Sequence, residues 1–362
     1  MADKERIGIG IFGYGFMAQA HLMALAELPQ ANVVAVCGPN LAQAGPVAKR
    51  HGIECVTRDP REMLDLPTVD AVIIATPNDT HFDLAMSSMA ADKHVFVEKP
   101  IAISAEEGRR MRAAARKFGV RNMCGYLLRA SPLIEKIRGI IQSGGVGEIL
   151  SAHIQRTMSF QLEGQPEMSW YIDPTRNQTG VLSDLGSHAI DLIQYLVGPI
   201  ESVASVVSTQ VQHATDSVTG RHVSLTLDDD ASLIVRFENG ASGTVVTSSV
   251  ALVDCNFPLG RTSIQVNGSR AAILTDGLTE ARVFRLGHDP TQLDSGLPTE
   301  EADHAGLLAL LGERMLGRFL RSILEERDIE PTLTDGLRAQ EVVDAAARAH
   351  GERRWLKVPQ VH

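Results

Sequence analysis

The 362-residue chain is short of several things, and each shortage removes a class of function. Its four cysteines, Cys37, Cys55, Cys124 and Cys255, lie far apart and form no C-x-x-C pair. Neither a disulfide framework nor a structural zinc site is expected, and a reduced, cytoplasmic protein is the simplest expectation. No Lys/Arg cluster interrupts a net charge of −10, which argues against nucleic acid or an anionic membrane as partner. No apolar run approaches the ~20 residues that span a bilayer. The charged start, Met1-Ala2-Asp3-Lys4-Glu5-Arg6, leads straight into a strand pattern, so no signal peptide is expected. Internal repeats and low-complexity segments are also missing.

What is present is ample core material, 44 % hydrophobic residues, in a chain longer than the roughly 250–300 residues at which single cores stop growing. Two domains are expected. From 6 to 125, apolar runs fall at 7–12, 32–37, 71–75 and 94–97, with weaker ones at 53–56 and 120–124. Helical patterns fill the gaps at 16–27, 41–51, 79–91 and 104–117. Unbroken apolar runs alternating with helices predict parallel strands covered on both faces, a doubly wound α/β sheet. The texture changes after 126. Helical patterns occur at 132–143 and 182–196, and the strand-like run "EILSAHIQRTM" lies between them. Seven strand-like runs follow over 202–286, with turn signals at Asp228-Asp229-Asp230, Asn239-Gly240 and Asn267-Gly268. They predict a large, mainly antiparallel sheet with hairpins. Helical patterns return at 299–326 and 334–350. The expected domains are therefore 1–125 and 126–362.

The stretch "IGIGIFGYGFMAQAHLMAL" places Gly13-x-Gly15-x-x-Ala18 where the first strand meets the first helix. An ordinary tight turn would explain it. At the head of an alternating β/α pattern, it also fits the dinucleotide fingerprint, with Ala in the third position. The first glycine permits the turn, the second admits a pyrophosphate, and the helix N-terminus offers N–H groups to it. Gly13, Gly15, Phe16, Met17 and Ala18 are thus candidate cofactor contacts. The acidic residue that normally holds the ribose diol is absent: no Asp or Glu lies between Glu27 and Glu54. The second strand ends in Gly38-Pro39-Asn40, where Asn40 can hydrogen-bond either form of the ribose. With no arginine following, NAD and NADP both stay open.

Three more constellations carry chemistry-bearing residues. "AVIIATPNDTHFDLA" sets Thr76, Pro77 and Asn78 at the carboxyl end of a strand, with His81 just inside the next helix. Ligands bind at such ends, although Asn78, Asp79 or Thr80 could simply cap that helix. "KHVFVEKPIAIS" sets Glu98, Lys99 and Pro100 at the next strand end, where Lys99 can reach a substrate oxygen or can be a surface lysine before a turn. "TGVLSDLGSHAIDLIQYLVG" places Asp184 and His188 on one helical face. A carboxylate and an imidazole suit proton transfer from an alcohol. A surface pair, or two metal ligands in need of a third, would show the same spacing. Asp191, three residues further on, can bond the imidazole.

Taken in order, "GYGFMAQAH", "ATPNDTH", "EKPIAIS", "GYLLRASP", "GVLSDLGSHAIDL" and the tail "PTLTDGLRAQEVVDAAARAHGERRWLKVP" resemble the glucose–fructose oxidoreductase / inositol dehydrogenase / MocA (Gfo/Idh/MocA) family over nearly the whole chain. The resemblance implies an N-terminal Rossmann domain binding NAD or NADP. It further implies an α+β domain whose open sheet serves in oligomer contacts, giving a homodimer or homotetramer. It implies that Lys99, Asp184 and His188 form the catalytic group. His188 would take the proton of a secondary hydroxyl, Lys99 would bond the reacting oxygen, and Asp184 would orient a neighbouring hydroxyl. Glu98 and Arg129 would lie near the cofactor, and Arg156 and Trp170 near the substrate. Gly38 and "NQTG" depart from the family pattern, at the ribose contact and near Gly180.

The implied function is hydride transfer between a nicotinamide and a sugar, glycoside or cyclitol. Two alternatives stand beside it: a redox-neutral, cofactor-retaining enzyme that cleaves or epimerises glycosides, and a cofactor-binding regulator without chemistry. Loss of Lys99 or His188 would favour the regulator, and both are present.

Overall fold

The first strand of the computed structural model, β1 (Ile7–Phe12), is buried at every residue, as a central parallel strand must be. The structure describes residues 6–162, 173–174, 176–215, 222–252, 259–296 and 304–361. The chain divides into two compact units, Met1–Leu127 with Ala305–Leu337, and Leu128–His304 with Arg338–His362.

In the first unit β1 is followed by α1 (Phe16–Ala26), β2 (Ala31–Cys37), α2 (Leu41–Arg50), β3 (Cys55–Thr57), α3 (Pro60–Leu64) and β4 (Ala71–Ile74). Then come α4 (His81–Ala90), β5 (His94–Val97), α5 (Ala105–Phe118) and β6 (Asn122–Cys124). All six strands are parallel, in the order β3-β2-β1-β4-β5-β6. The strand order reverses between β1 and β4, the switch point at which such sheets bind ligands. Each expected strand is present. The five-residue α3 carries too little pattern to be seen in sequence, although Asp59 caps it and Pro60 opens it.

Residues 305–337, read from sequence as part of the second domain, belong to the first unit. The reason is packing. In α8 (His304–Leu324), Gly312 lies against Ala24 of α1, and Phe319 meets Phe96 of β5 edge to face, with centroids 5.8 Å apart. Gly336, in the first turn of α9 (Leu333–Glu352), sits on Ile101.

The second unit contains α6 (Pro132–Gln142), β7 (Ile149–Thr157), α7 (Val181–Val197), β8 (Ile200–Ser208), β9 (His213–Thr215), β10 (His222–Ser224), β11 (Asp230–Phe237) and β12 (Ser242–Ser248). It continues with β13 (Arg261–Gly268), β14 (Ala272–Asp276), β15 (Glu280–Phe284), β16 (Thr291–Asp294) and the terminal β17 (Leu356–Lys357). Nine strands form one sheet in the order β16-β15-β14-β13-β7-β12-β11-β8-β17. It is antiparallel except at its centre, where β7 and β12 run parallel. β9 and β10 pair separately. Helix α7 packs across β7, β12 and β11. Among the described residues, no helix is long and apolar enough to cross a membrane.

Candidate active site

On the first unit the fingerprint turn shows why its residues are small. Gly13 has φ +106°, and a Cβ there would stand 2.3 Å from the Ala75 carbonyl oxygen. Only glycine fits both constraints. A Cβ on Gly15 would meet nothing within 4 Å, so the space above it is open. Gly15, the N-cap of α1, has no side chain to cap that helix, and the first turn carries no acid. The N-terminus of α1, with its positive dipole end, therefore faces an open approach, which fits a pyrophosphate. Phe16 is 58 % exposed beside this approach, and Ala18 is fully buried. Met17 is half-buried.

At the end of β2, the Tyr14 ring covers Gly38, and a Cβ on Gly38 would lie 2.5 Å from it. Asn40 caps α2 by accepting the Ala42 N–H through Oδ1 at 3.0 Å, which leaves its amide donors for a ribose oxygen. The sequence places no acid at the end of β2, but the fold brings two near it from the start of α3, Asp59 and Glu62. Burial pushes the Cys37 thiol up to about 12, with the charges of Asp59 and Glu62 adding to the effect.

At the end of β4, Thr76, Pro77 and Asn78 are half-buried, and Asn78 opens a short 3-10 turn, Asn78–Thr80. His81, expected at the cofactor, has its ring turned to the protein. Its ring is buried, with Nδ1 2.8 Å from the Pro100 carbonyl and Nε2 2.8 Å from the Thr76 carbonyl. Both ring nitrogens face the two strand-end loops, and a neutral ring donates to one of the two carbonyls. Burial holds it below the usual imidazole range, against the pull of both carbonyls. Lys99 is half-buried beside a buried Glu98.

On the second unit, Asp184 and His188 are half-buried, four residues apart on α7. The helix begins at Gly180, which has no side chain to cap it. Asp228 does so from the far side of the chain: Oδ1 accepts the Gly180 N–H and Oδ2 the Leu182 N–H, both at 2.7 Å. Burial raises the Asp228 carboxyl above its usual range, and those two bonds oppose the rise. The Asp228-Asp229-Asp230 run is thus no simple hairpin turn. Asp228→Ala is expected to cost about 1–3 kcal/mol, through lost capping bonds, and to lower turnover with it. Thermal melting alongside an activity assay checks both effects.

Asp191, three residues beyond His188, forms a buried bidentate pair with Arg129, Nε to Oδ2 at 2.8 Å and Nη2 to Oδ1 at 2.6 Å. Tyr195 lies between two guanidinium groups, with Arg129 4.4 Å and Arg138 3.8 Å from its ring centroid. Arg129, expected near the cofactor, thereby anchors α7; breaking such a pair costs roughly 3–5 kcal/mol. Arg156 is buried on β7 and donates to Thr262 Oγ1 at 2.7 Å and the Leu259 carbonyl at 3.0 Å. Burial pushes its guanidinium down to about 10, and the charge of Asp184 opposes this. Trp170 lies outside the described residues. Among the described residues, no group of three or more His, Cys, Asp or Glu side chains is placed to hold a metal.

Comparison with known proteins adds to this geometry. Residues 7–126 match a family described as "Oxidoreductase family, NAD-binding Rossmann fold", and residues 134–274 match the "GFO/IDH/MocA C-terminal domain". Levoglucosan dehydrogenase of Pseudarthrobacter phenanthrenivorans is 26 % identical over 99 % of both chains. Glucose-6-phosphate 3-dehydrogenase of Bacillus subtilis is 30 % identical over 72 % of each. A solved levoglucosan dehydrogenase in complex with NADH shares the fold with a TM-score of 0.89 at 24 % identity, covering 98 % of this chain and all of the other.

Proposed function

The chain belongs to the GFO/IDH/MocA oxidoreductase family, and from that premise we propose that it oxidises a secondary hydroxyl of a sugar, glycoside or cyclitol at the expense of NAD(P)⁺. The observation that carries this is the open N-terminus of α1 behind Gly13 and Gly15, in a chain that also keeps Lys99, Asp184 and His188. A bound nicotinamide supplies the hydride acceptor. The residues of the chain do the rest. The α1 amides hold the pyrophosphate, and Asn40 reaches the ribose. Lys99 donates to the reacting oxygen and stabilises charge as it develops. Asp184 orients a neighbouring hydroxyl, and His188 accepts the proton. Relatives named for levoglucosan and for glucose 6-phosphate point to a polyhydroxylated ring as substrate. Levoglucosan, glucose 6-phosphate and inositols, each tested with NAD⁺ and NADP⁺, form the panel that tests this reading.

The preference between cofactors should be modest. Nothing at Gly38 itself repels a 2′-phosphate, and the nearby Asp59 and Glu62 tilt the balance toward NAD. The NADPH dissociation constant is expected to exceed that of NADH by less than about 100-fold. Gly38→Asp should widen the gap, provided that Tyr14 swings off the new side chain. Fluorescence titration with both nucleotides checks the ratio, and strict exclusion of NADPH would contradict it.

A homodimer or homotetramer in the cytoplasm completes the reading. On one face of the nine-stranded sheet, Val206 and Ile234 are 64 % and 56 % exposed on the paired strands β8 and β11. Exposed apolar side chains on a broad sheet suit burial against a second copy, within residues 202–286. Light scattering at micromolar concentration should return at least twice the chain mass; a monomer mass would refute this.

A further inference from the structure

We infer that Glu98 is a positioning residue for Lys99, secured by His21 of the cofactor-binding helix, and not itself a cofactor ligand. This rests on the proposed role of Lys99. His21 Nε2 stands 2.7 Å from Glu98 Oε1, and the two residues are 2 % and 5 % exposed. A carboxylate only accepts, so the imidazole carries a proton on Nε2. The other oxygen, Oε2, accepts the Lys99 main-chain N–H at 3.1 Å. Both oxygens are therefore engaged by the chain itself.

The surroundings are built around this pair. Phe96 packs edge-on against His21, with centroids 5.2 Å apart. A Cβ on Gly125 would lie 2.8 Å from Glu98 Oε2, so only glycine leaves room for the carboxylate there. A buried anion persists only with compensating partners. Burial pushes the Glu98 carboxyl up, but the hydrogen bond and charge of His21 and the charge of Lys99 outweigh it and hold the group below its usual range. The carboxylate thus fixes the main chain from which Lys99 projects and lends that side chain a fixed counter-charge. His21 sits on the same helix as Gly15, its N-cap, so one rigid element holds both the pyrophosphate cradle and the support of the lysine.

The test compares Glu98→Gln, His21→Leu and His21→Gln in the full-length chain. NADH affinity is read by fluorescence, and turnover on whichever of levoglucosan, glucose 6-phosphate or myo-inositol the wild type oxidises. Acetylation of Lys99 by acetic anhydride, relative to the exposed Lys117, is followed by mass spectrometry and needs no substrate. Glu98→Gln and His21→Leu should lower kcat about 10–100-fold through misplacement of Lys99, with the NADH dissociation constant within about threefold of wild type. Glu98→Gln should also change the rate of Lys99 acetylation relative to Lys117, because the main chain that carries Lys99 loses its bond to the carboxylate. His21→Gln keeps a donor for Glu98 and should restore most of the turnover. Proportionate loss of NADH affinity in Glu98→Gln would make Glu98 a cofactor ligand and overturn the inference. Unchanged turnover and acetylation would overturn it too. Should Glu98→Gln fail to fold, the contrast between His21→Leu and His21→Gln decides, and equal turnover in those two counts against it. If Lys99→Ala keeps full turnover, the role proposed for Lys99 fails, and with it the inference. An inactive Lys99→Ala beside a wild-type-like Glu98→Gln defeats this inference alone.

Discussion

His188→Ala is expected to lower kcat by about 10²–10⁴-fold, the usual contribution of a positioned general base, with NADH affinity nearly unchanged. The expectation follows from where the imidazole sits. His188 is half-buried on α7, one turn beyond Asp184. Asp228 fixes the start of that helix, and the Arg129–Asp191 pair fixes its middle. A side chain on so firmly held an element keeps its direction, which is what a base needs in order to meet one particular hydroxyl. An imidazole must be neutral to accept a proton, so wild-type oxidation should rise with pH, and the rise should vanish in His188→Ala. The α1 amides are untouched, so turnover and cofactor binding must separate. A regulator without chemistry would show the reverse: no turnover to lose, and ligand binding indifferent to the change.

Lys99→Ala is expected to cost about 10²–10³-fold in kcat, the size of effect seen when one electrostatic stabiliser of a developing oxyanion is removed. Lys99→Arg should not restore it, because a planar fork differs from a compact ammonium in reach and geometry. Pre-steady-state measurement of nicotinamide reduction isolates the chemical step from product release. A wild-type rate of reduction in Lys99→Ala would remove the lysine from the reaction.

The first sheet was legible because its central strands β1 and β4 are unbroken apolar runs, and because the glycines at 13 and 15 stand at a strand-to-helix junction. What escaped was non-local. The helix pattern of 305–324 says that one face is apolar, not which sheet it will cover, and it covers the first. The parallel pairing of β7 with β12 joins segments 91 positions apart, Ser151 with Ser242 for instance, and no local period announces such a pairing. The three aspartates at 228–230 have the composition of a turn, yet the first of them caps a helix 46 residues earlier. Among the candidate site residues, the sequence identified which side chains carry chemistry more readily than what they touch. His81 and Arg129 were expected at the cofactor; the carbonyls of Thr76 and Pro100 engage the one, and Asp191 the other. The His21–Glu98 contact spans 77 residues, and no spacing rule connects the two.

The central claim, NAD(P)-dependent oxidation of a polyhydroxylated ring, is tested most directly by the absorbance of reduced nicotinamide. Purified protein is incubated with NAD⁺ or NADP⁺ and, in turn, levoglucosan, glucose 6-phosphate, myo-inositol and simple hexoses. The account predicts sustained nicotinamide reduction with at least one of them, abolished in His188→Ala. Tight cofactor binding with no reduction by any of these compounds would contradict it.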